Sequence, residues 1–462
     1  MDYENLLNQN LPINYILAII LLVCLVIEAG LKWSKSWVIP GILVYGTIGI
    51  WYFIEIIYTP EKYLSFPTDI VEISFSQVII FLVAFRLLVP YFTKVLTPKT
   101  FNTLPEFRLI TLSPEHLLSI LASIWLLILL WGLSQANWNI MGALLPLGGR
   151  SHSTFLFTRS ALGGSTGFII SSLAYIYNLI CSFFGVLLLF QKRWTAKIFN
   201  FSLIVISWPM FMFSGTRNIF LAMVVPAFLA YLIVSKQKWW VKLLGSLVSF
   251  LVVNYILTVI ITFRNVGFEG YLSQIWQTGE IAVPETKHQG LNMALELFYI
   301  NSFLQQGSLS LHYGYDYLVE LLNWVPRFLW PDKPFIGLDY AQLRSPGKGG
   351  LAISATVSRG LIGGGVMNFG TIFGPIAPAF LMAVWSGIIA RLWSQRYSIL
   401  RFALFLVALG ITPNLGRDFT ILVLWPIIFG YFLILYLERI ERKKMRKFYT
   451  LYQTNSKFDS FK

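Results

Sequence analysis

The sequence predicts an all-α fold, a polytopic transmembrane helix bundle of about 11 spans with one large extracytoplasmic loop. Three observations predict it. Apolar runs near 20 residues recur along almost the whole chain, and about 20 residues of helix cross roughly 30 Å of hydrocarbon. Only 12% of the 462 residues are charged, against roughly 25% in a soluble domain. Mean hydropathy is +0.68, without the polar helix faces that an all-helical soluble protein would carry.

Taken in order, the spans fall at 13–31, 37–58, 70–92, 117–134, 166–190, 198–214, 218–234, 243–263, 369–390, 398–413 and 419–437. The first run follows Met1-Asp2-Tyr3-Glu4, acidic where a signal peptide needs positive charge, so it reads as a retained helix. Alternate connections then carry Lys32/Lys35, Lys94/Lys99/Arg108, Lys192/Arg193/Lys197, Lys236/Lys238/Lys242 and Arg391/Arg396/Arg401, and the tail runs basic from Arg439 to Lys447. Lys and Arg collect on the cytoplasmic side, which puts the N-terminus outside and the C-terminus inside. The chain divides into spans 1–8 over 1–263, a large external loop with short helices over 264–368, spans 9–11 over 369–440, and a basic cytoplasmic tail over 441–462. The net charge of +14 is accounted for by headgroup attraction, so the bilayer is the expected partner and nucleic acid is not. Cys24 and Cys181 lie inside apolar runs and offer no disulfide framework or CxxC site.

Positive residues left outside are the exceptions to that sorting. They are Lys62, Arg150, Arg159, Arg217, Arg264, Lys287, Arg327, Lys333, Arg344, Lys348, Arg359 and Arg417, mostly arginine where the cytoplasmic set is mostly lysine. Lysine suffices as a point charge for headgroups, whereas the guanidinium fork binds phosphate or carboxylate through two parallel hydrogen bonds. Arg217 sits in the turn Phe213-Ser-Gly-Thr-Arg-Asn218 and Arg417 in Asn414-Leu-Gly-Arg-Asp-Phe419, both between apolar runs; Arg264 ends the eighth run. For each, a lipid anchor or a local ion pair competes with ligand binding. Within the long loop, Asn323-Trp-Val-Pro-Arg-Phe-Leu-Trp-Pro-Asp-Lys-Pro334 sets Trp324 and Trp330 beside Arg327 and Lys333 on a proline-stiffened backbone. Aromatic faces with nearby polar groups suit pyranose rings and suit the membrane interface equally. Glycine-rich stretches follow at 347–350 and 363–370, and such backbone at membrane depth must be buried or line a cavity. His116, His152, His288 and His312 are scattered without metal-ligand spacing, and no GxSxG elbow is present, so no metal site is expected and any chemistry would rest on positioning, electrostatics and a carboxylate base.

Ser214-Gly-Thr-Arg-Asn218, Pro326-Arg-Phe-Leu-Trp-Pro-Asp-Lys-Pro334, Gly350-Leu-Ala-Ile-Ser354, Asn368-Phe-Gly370 and Gly416-Arg-Asp418 together resemble Wzy-type oligosaccharide repeat-unit polymerases, the O-antigen and enterobacterial common antigen polymerase group. The resemblance runs from about residue 210 to the end, while the first 200 residues match only in their pattern of spans. It implies a GT-C-like glycosyltransferase of the bacterial inner membrane that uses neither metal nor other cofactor. Such an enzyme moves a growing glycan from one undecaprenyl diphosphate to the sugar end of a fresh lipid-linked unit at the periplasmic face. A chain-length-determining co-polymerase is an open partner. By the same resemblance Arg217, Arg327 and Arg417 hold the diphosphate, with Arg264, Arg344 and Arg359 as further candidates, and Trp324, Trp330 and Asn368 meet the glycan. Asp418 is the first candidate base, with Glu269 and Glu280 behind it. Many members carry a glutamate four residues before Asn-Phe-Gly, where this chain has Gly364. The alternatives are an O-antigen ligase-like transferase and, in a different class, a flippase or transporter; no repeated halves are visible here and polar residues concentrate at the external face, unlike the usual transporter pattern.

Overall fold

The computed structural model describes residues 12–58, 60–97, 113–147, 167–213, 217–278, 292–322, 325, 329–334, 338–344, 358–396, 398–417, 424 and 427–440. All regular structure among them is helical. Five helices are long and apolar enough to cross a membrane, Ile13–Leu31, Thr68–Leu96, Pro114–Ser134, Trp194–Phe213 and Ile376–Ser394. By length and composition the chain is therefore a multi-pass helical membrane protein.

The principal helices are α1 (Ile13–Leu31), α2 (Val38–Tyr52), α3 (Thr68–Leu96), α4 (Pro114–Gln135), α5 (Gly167–Leu188), α6 (Trp194–Ser207), α7 (Arg217–Val234), α8 (Trp239–Thr278), α9 (Met293–Gln305), α10 (Tyr315–Leu321), α11 (Leu338–Arg344), α12 (Leu361–Phe373), α13 (Ile376–Ser394) and α14 (Ile399–Leu415). The first ten expected spans all coincide with helical backbone, but several boundaries move. The run at 198–214 breaks at Trp208, where a short helix Pro209–Phe213 begins, because Pro209 cannot donate to the preceding turn. Helix α8 continues past Arg264 to Thr278, bending at Gly267, whose φ of 73° only glycine adopts easily. The loop boundary expected at 368 lies inside α12, which bends at Gly370 (φ 77°) before α13 starts. Of the last expected span, 427–440 is described and helical.

Packing divides around α14. Helices α1, α2, α3, α9, α12 and α13 form one group, with α3 laid along α13; α4, α5, α6 and α7 form the other. Between them α14 touches α2, α7, α13 and α5, and every residue from Leu400 to Thr412 is buried. A helix apolar on all sides belongs in such a position. Gly410 lets it approach α7 so closely that a Cβ there would lie 3.2 Å from Pro226.

The segment that follows α8 packs on the bundle through α9. Asn292 caps α9 by accepting from the Leu295 N–H at 3.0 Å and from the Tyr63 hydroxyl at 2.6 Å. Phe298 is fully buried, with edge contacts to Tyr63, Phe66 and Phe75 at centroid distances of 5.5–5.8 Å. Truncating such a ring to alanine typically costs about 3–5 kcal/mol. Further along α9, buried Asn301 exchanges amide hydrogen bonds with Gln77 at 2.9 Å each way and donates to Ser74 Oγ at 2.8 Å. These amides satisfy one another, as polar groups removed from water must. The result is that α9 is keyed to α3 and gives α12 a wall to pack on.

Candidate functional site

A polar pocket lies where the loop meets the start of α12. Its lining is Asp316, Tyr317 and Glu320 from α10, with Arg359, Gly360, Leu361, Gly364 and Asn368 from the lead-in and body of α12. Local rules place these groups. Gly314 starts α10 with a φ of 84°, and the Phe369 ring stands 3.1 Å from where a Cβ would be. The His312 N–H donates to the Met367 carbonyl at 3.0 Å, tying the residues before α10 to α12. Asp316 and Glu320 then share one helix face by their four-residue spacing, and both are buried. On the other wall, the Ile362 N–H donates to the Tyr52 hydroxyl at 2.9 Å, and Gly360 (φ 76°) passes the same hydroxyl so tightly that a Cβ would come within 3.1 Å.

Asp316 is the hub. Its Oδ2 accepts from Arg359 Nη1 and from Asn368 Nδ2 at 3.3 Å, while its own N–H donates to Asn368 Oδ1 at 3.3 Å. Asn368 is itself oriented by donating to the Gly364 carbonyl at 2.8 Å. His312 Nδ1 lies 3.0 Å from the same Oδ2, and His312 Nε2 lies 2.7 Å from Asp339 Oδ2. The Nδ1 approach misses hydrogen-bond alignment, so that contact is primarily one of charge. The two carboxylates hold His312 as an imidazolium, raising its pKa to about 9 against the opposing effect of burial. Burial pushes the Asp316 carboxyl up, but His312 and Arg359 outweigh it and leave its pKa below the usual range. Asp339 is likewise raised by burial and lowered further by His312, with a net downward shift. The two ring nitrogens of His312 face different carboxylates in different directions, which is the geometry of a bridge rather than of convergent metal ligands.

A second ion pair stands on α9 and α11. Glu296 accepts from Arg344 Nε and Nη2 at 3.1 and 3.3 Å and from the Tyr340 hydroxyl, while the Arg344 guanidinium lies 3.6 Å from the centre of the Tyr299 ring. This fork closes on protein carboxylate.

The site residues expected from sequence therefore separate. Arg359 and Asn368 meet in the pocket. Arg417 reaches its neighbourhood through the backbone: its carbonyl accepts from Ser358 Oγ at 2.7 Å, and the Gly416 carbonyl accepts from the Leu361 N–H at 3.2 Å. Arg344 is held by Glu296, away from the pocket lining. Trp330 is half-buried in a turn closed by the Lys333 N–H on its carbonyl at 3.1 Å, and it does not line the pocket. Arg217, Arg264 and Glu269 lie on described helices, but their side chains fall outside the description; Glu280, Trp324, Arg327 and Asp418 lie outside the described residues. His312, Asp316, Glu320 and Asp339 were not singled out by sequence as site residues. The signal available was His312-x-x-x-Asp316, a four-residue spacing just before an apolar-patterned helix.

No protein-family model, no curated protein and no solved structure matches this chain.

Proposed function

We propose that this chain polymerises undecaprenyl-diphosphate-linked oligosaccharide repeat units, transferring the growing glycan onto a new lipid-linked unit at the periplasmic face of the bacterial inner membrane. One observation carries the reading. Arg359 and Asn368, both named from the sequence, meet Asp316 in one polar pocket, and the carbonyl of Arg417 is bonded to Ser358 at its edge, although 43 to 59 residues separate the bonded partners. Polar groups that converge in a pocket of an otherwise apolar protein are the default candidate for a binding or catalytic site.

In this reading about 11 spans thread the bilayer with the N-terminus periplasmic and the C-terminus cytoplasmic, following the charge sorting of the connections. The bond between the donor's anomeric carbon and the diphosphate oxygen breaks, and its electron pair leaves with undecaprenyl diphosphate. The acceptor hydroxyl oxygen forms the new bond to that carbon, and its proton passes to a carboxylate. Arginine stabilises the charge growing on the diphosphate. Arg344 pairs with Glu296 and Arg359 with Asp316; the resemblance assigns this role to Arg217, Arg327 and Arg417, with Arg264 as a further candidate. For the base, Asp418, Glu269 and Glu280 remain the candidates. Asp316 is a poor one, since its depressed pKa weakens it as a proton acceptor.

The test is deletion of the gene with analysis of the surface glycan. The expected outcome is single repeat units in place of long chains. Long chains retained on the lipid carrier would indicate a ligase, and units trapped on the cytoplasmic side a flippase. Unchanged chain length after replacing both Arg217 and Arg417 with alanine would remove the proposed diphosphate site.

A further inference from the structure

We infer that α10 is an interfacial helix, its outward apolar face lying in the headgroup–acyl boundary of the leaflet at which α13 begins. The inference needs only that the chain is a multi-pass membrane protein, and it stands whether or not the polymerase reading does.

A short helix surrounded by water turns its acids outward and its leucines in. Helix α10 does the reverse. Asp316, Val319 and Glu320 are buried, and Asp316 is bonded to Arg359 and Asn368 within the protein. Tyr315, Leu318 and Leu321 recur every three residues along the opposite face, and the two leucines are 52% and 59% exposed. Tyr313, just before the helix, is 82% exposed and held at a φ of 51°, a left-handed conformation that non-glycine residues rarely adopt. The Tyr315 N–H fixes that turn by donating to the His312 carbonyl at 2.9 Å. The backbone therefore projects a tyrosine away from the protein.

What covers this face follows from where it sits. The Phe369 ring stands 3.1 Å from where a Gly314 Cβ would be, and it lies nearly parallel to Tyr317 at 5.9 Å and 10°. Helix α10 thus abuts the Gly370 bend. Beyond the bend Ile372 and Phe373 are exposed, and Ile376 opens α13, a helix long and apolar enough to cross a membrane, with Phe380 exposed on its side. The exposed apolar surface runs on from the start of that span, through the bend, to α10. Leucine mixed with tyrosine is the composition that settles at the membrane–water boundary. A second copy of the chain is the competing cover, but this patch is far smaller than the roughly 20–30 residues a side of a stable protein interface. A helix is about 10 Å across, so lipid on one side of α10 places Asp316 and Glu320, on its other side, at headgroup level. The polar cluster around Asp316 then lies beside the headgroups and not out in bulk water.

The experiment uses the full chain in lipid nanodiscs, with Cys24→Ser removing the exposed native thiol and buried Cys181 left in place. A nitroxide is attached in turn to Leu318→Cys, on the apolar face of α10, and to Gln306→Cys, exposed in the polar turn Gln305-Gln-Gly-Ser308 after α9. Power-saturation EPR then measures its collisions with oxygen, which concentrates in lipid, and with a water-soluble nickel chelate. The ratio of oxygen to nickel collisions is expected to be at least threefold higher for Leu318→Cys than for Gln306→Cys. Melting temperature reports an intact fold, and Leu321→Cys takes the place of Leu318→Cys if that variant fails to fold. Equal ratios at the two positions would overturn the inference, because α10 would then face water. Protection from both reagents would overturn it too, with spin–spin broadening identifying a second copy as the cover. Neither outcome touches the polymerase reading, which the deletion test decides alone.

Discussion

A buried arginine–carboxylate pair lies near each end of helix α14, one including its own Arg401 and the other on the segments that meet its C-terminus, and the two are built differently. At its start Arg401 donates to Glu438 through Nε and Nη2, each at 2.8 Å, and both side chains are buried. Beyond its last turn, Arg359 meets Asp316, which also answers to Asn368 and His312 and faces a cavity. About 25 Å of helix separates the two at 1.5 Å per residue. The first pair is saturated by its own fork and leaves nothing for a ligand. The second spreads one carboxylate oxygen over several donors at the wall of a small polar pocket. Identical residue chemistry thus serves as a clasp in one place and as a site in the other, and the number of partners per oxygen tells them apart.

The largest expected effect breaks the comparison at both ends. Glu438→Gln leaves a buried guanidinium without its counter-charge, and such losses run to about 3–5 kcal/mol. Thermal stability in detergent should fall, with activity per folded molecule retained. Asp316→Asn should also lower stability, but glycan chain length should collapse even in the folded fraction, and a folded, fully active Asp316→Asn would place the site elsewhere. A charge swap sharpens the contrast. Arg401→Glu with Glu438→Arg should recover part of the lost stability, whereas Asp316→Arg with Arg359→Asp should not, because Asn368 and His312 then face a cation.

A smaller effect follows pH. His312 has a raised pKa, so its contribution is fully present below its ordinary value of 6.5 and disappears as pH rises through about 9. Asp316 and Asp339 have lowered pKa values, so theirs is present above the ordinary carboxylate value of 3.8 and is lost as pH falls below it. The stability difference between the unsubstituted chain and His312→Gln, roughly 2–3 kcal/mol near neutrality, should shrink steadily between pH 7 and 10. A difference that stays constant over that range would show that His312 is not acting as an imidazolium. The smallest change is Gly364→Ala, where the added methyl meets no atom within 4 Å. Improved helix propensity should raise stability by up to about 1 kcal/mol, and a loss of stability would mean that the pocket is narrower than described.

Some of this was legible beforehand. Arg359 and Asn368 stood out as an external arginine and a polar residue within a glycine-rich stretch, and both line the pocket. Arg344 stood out for the same reason and proved to be the partner of Glu296, because a guanidinium prefers any well-placed carboxylate and the sequence does not show which is near. His312 has no metal-ligand spacing to the other histidines, and its partners are instead acids at 316 and 339, one of them 27 residues away. The span edges at 264 and 368 moved because hydropathy records where polar residues begin, whereas a helix ends only where backbone hydrogen bonding does.

By itself the sequence determined how the chain partitions: helical, largely apolar and multi-pass. Transfer into lipid is a sum over some 20 consecutive residues, so it can be read locally. Only the tertiary structure decided which of the leftover charges meet. Asp316, the stretch from Arg359 to Asn368 and the carbonyl of Arg417 lie dozens of residues apart, and their pairing depends on α9 keyed to α3, α12 bent at Gly370 and α14 running through the centre. Charge pairing is a short-range property of folded geometry, and linear spacing does not encode it.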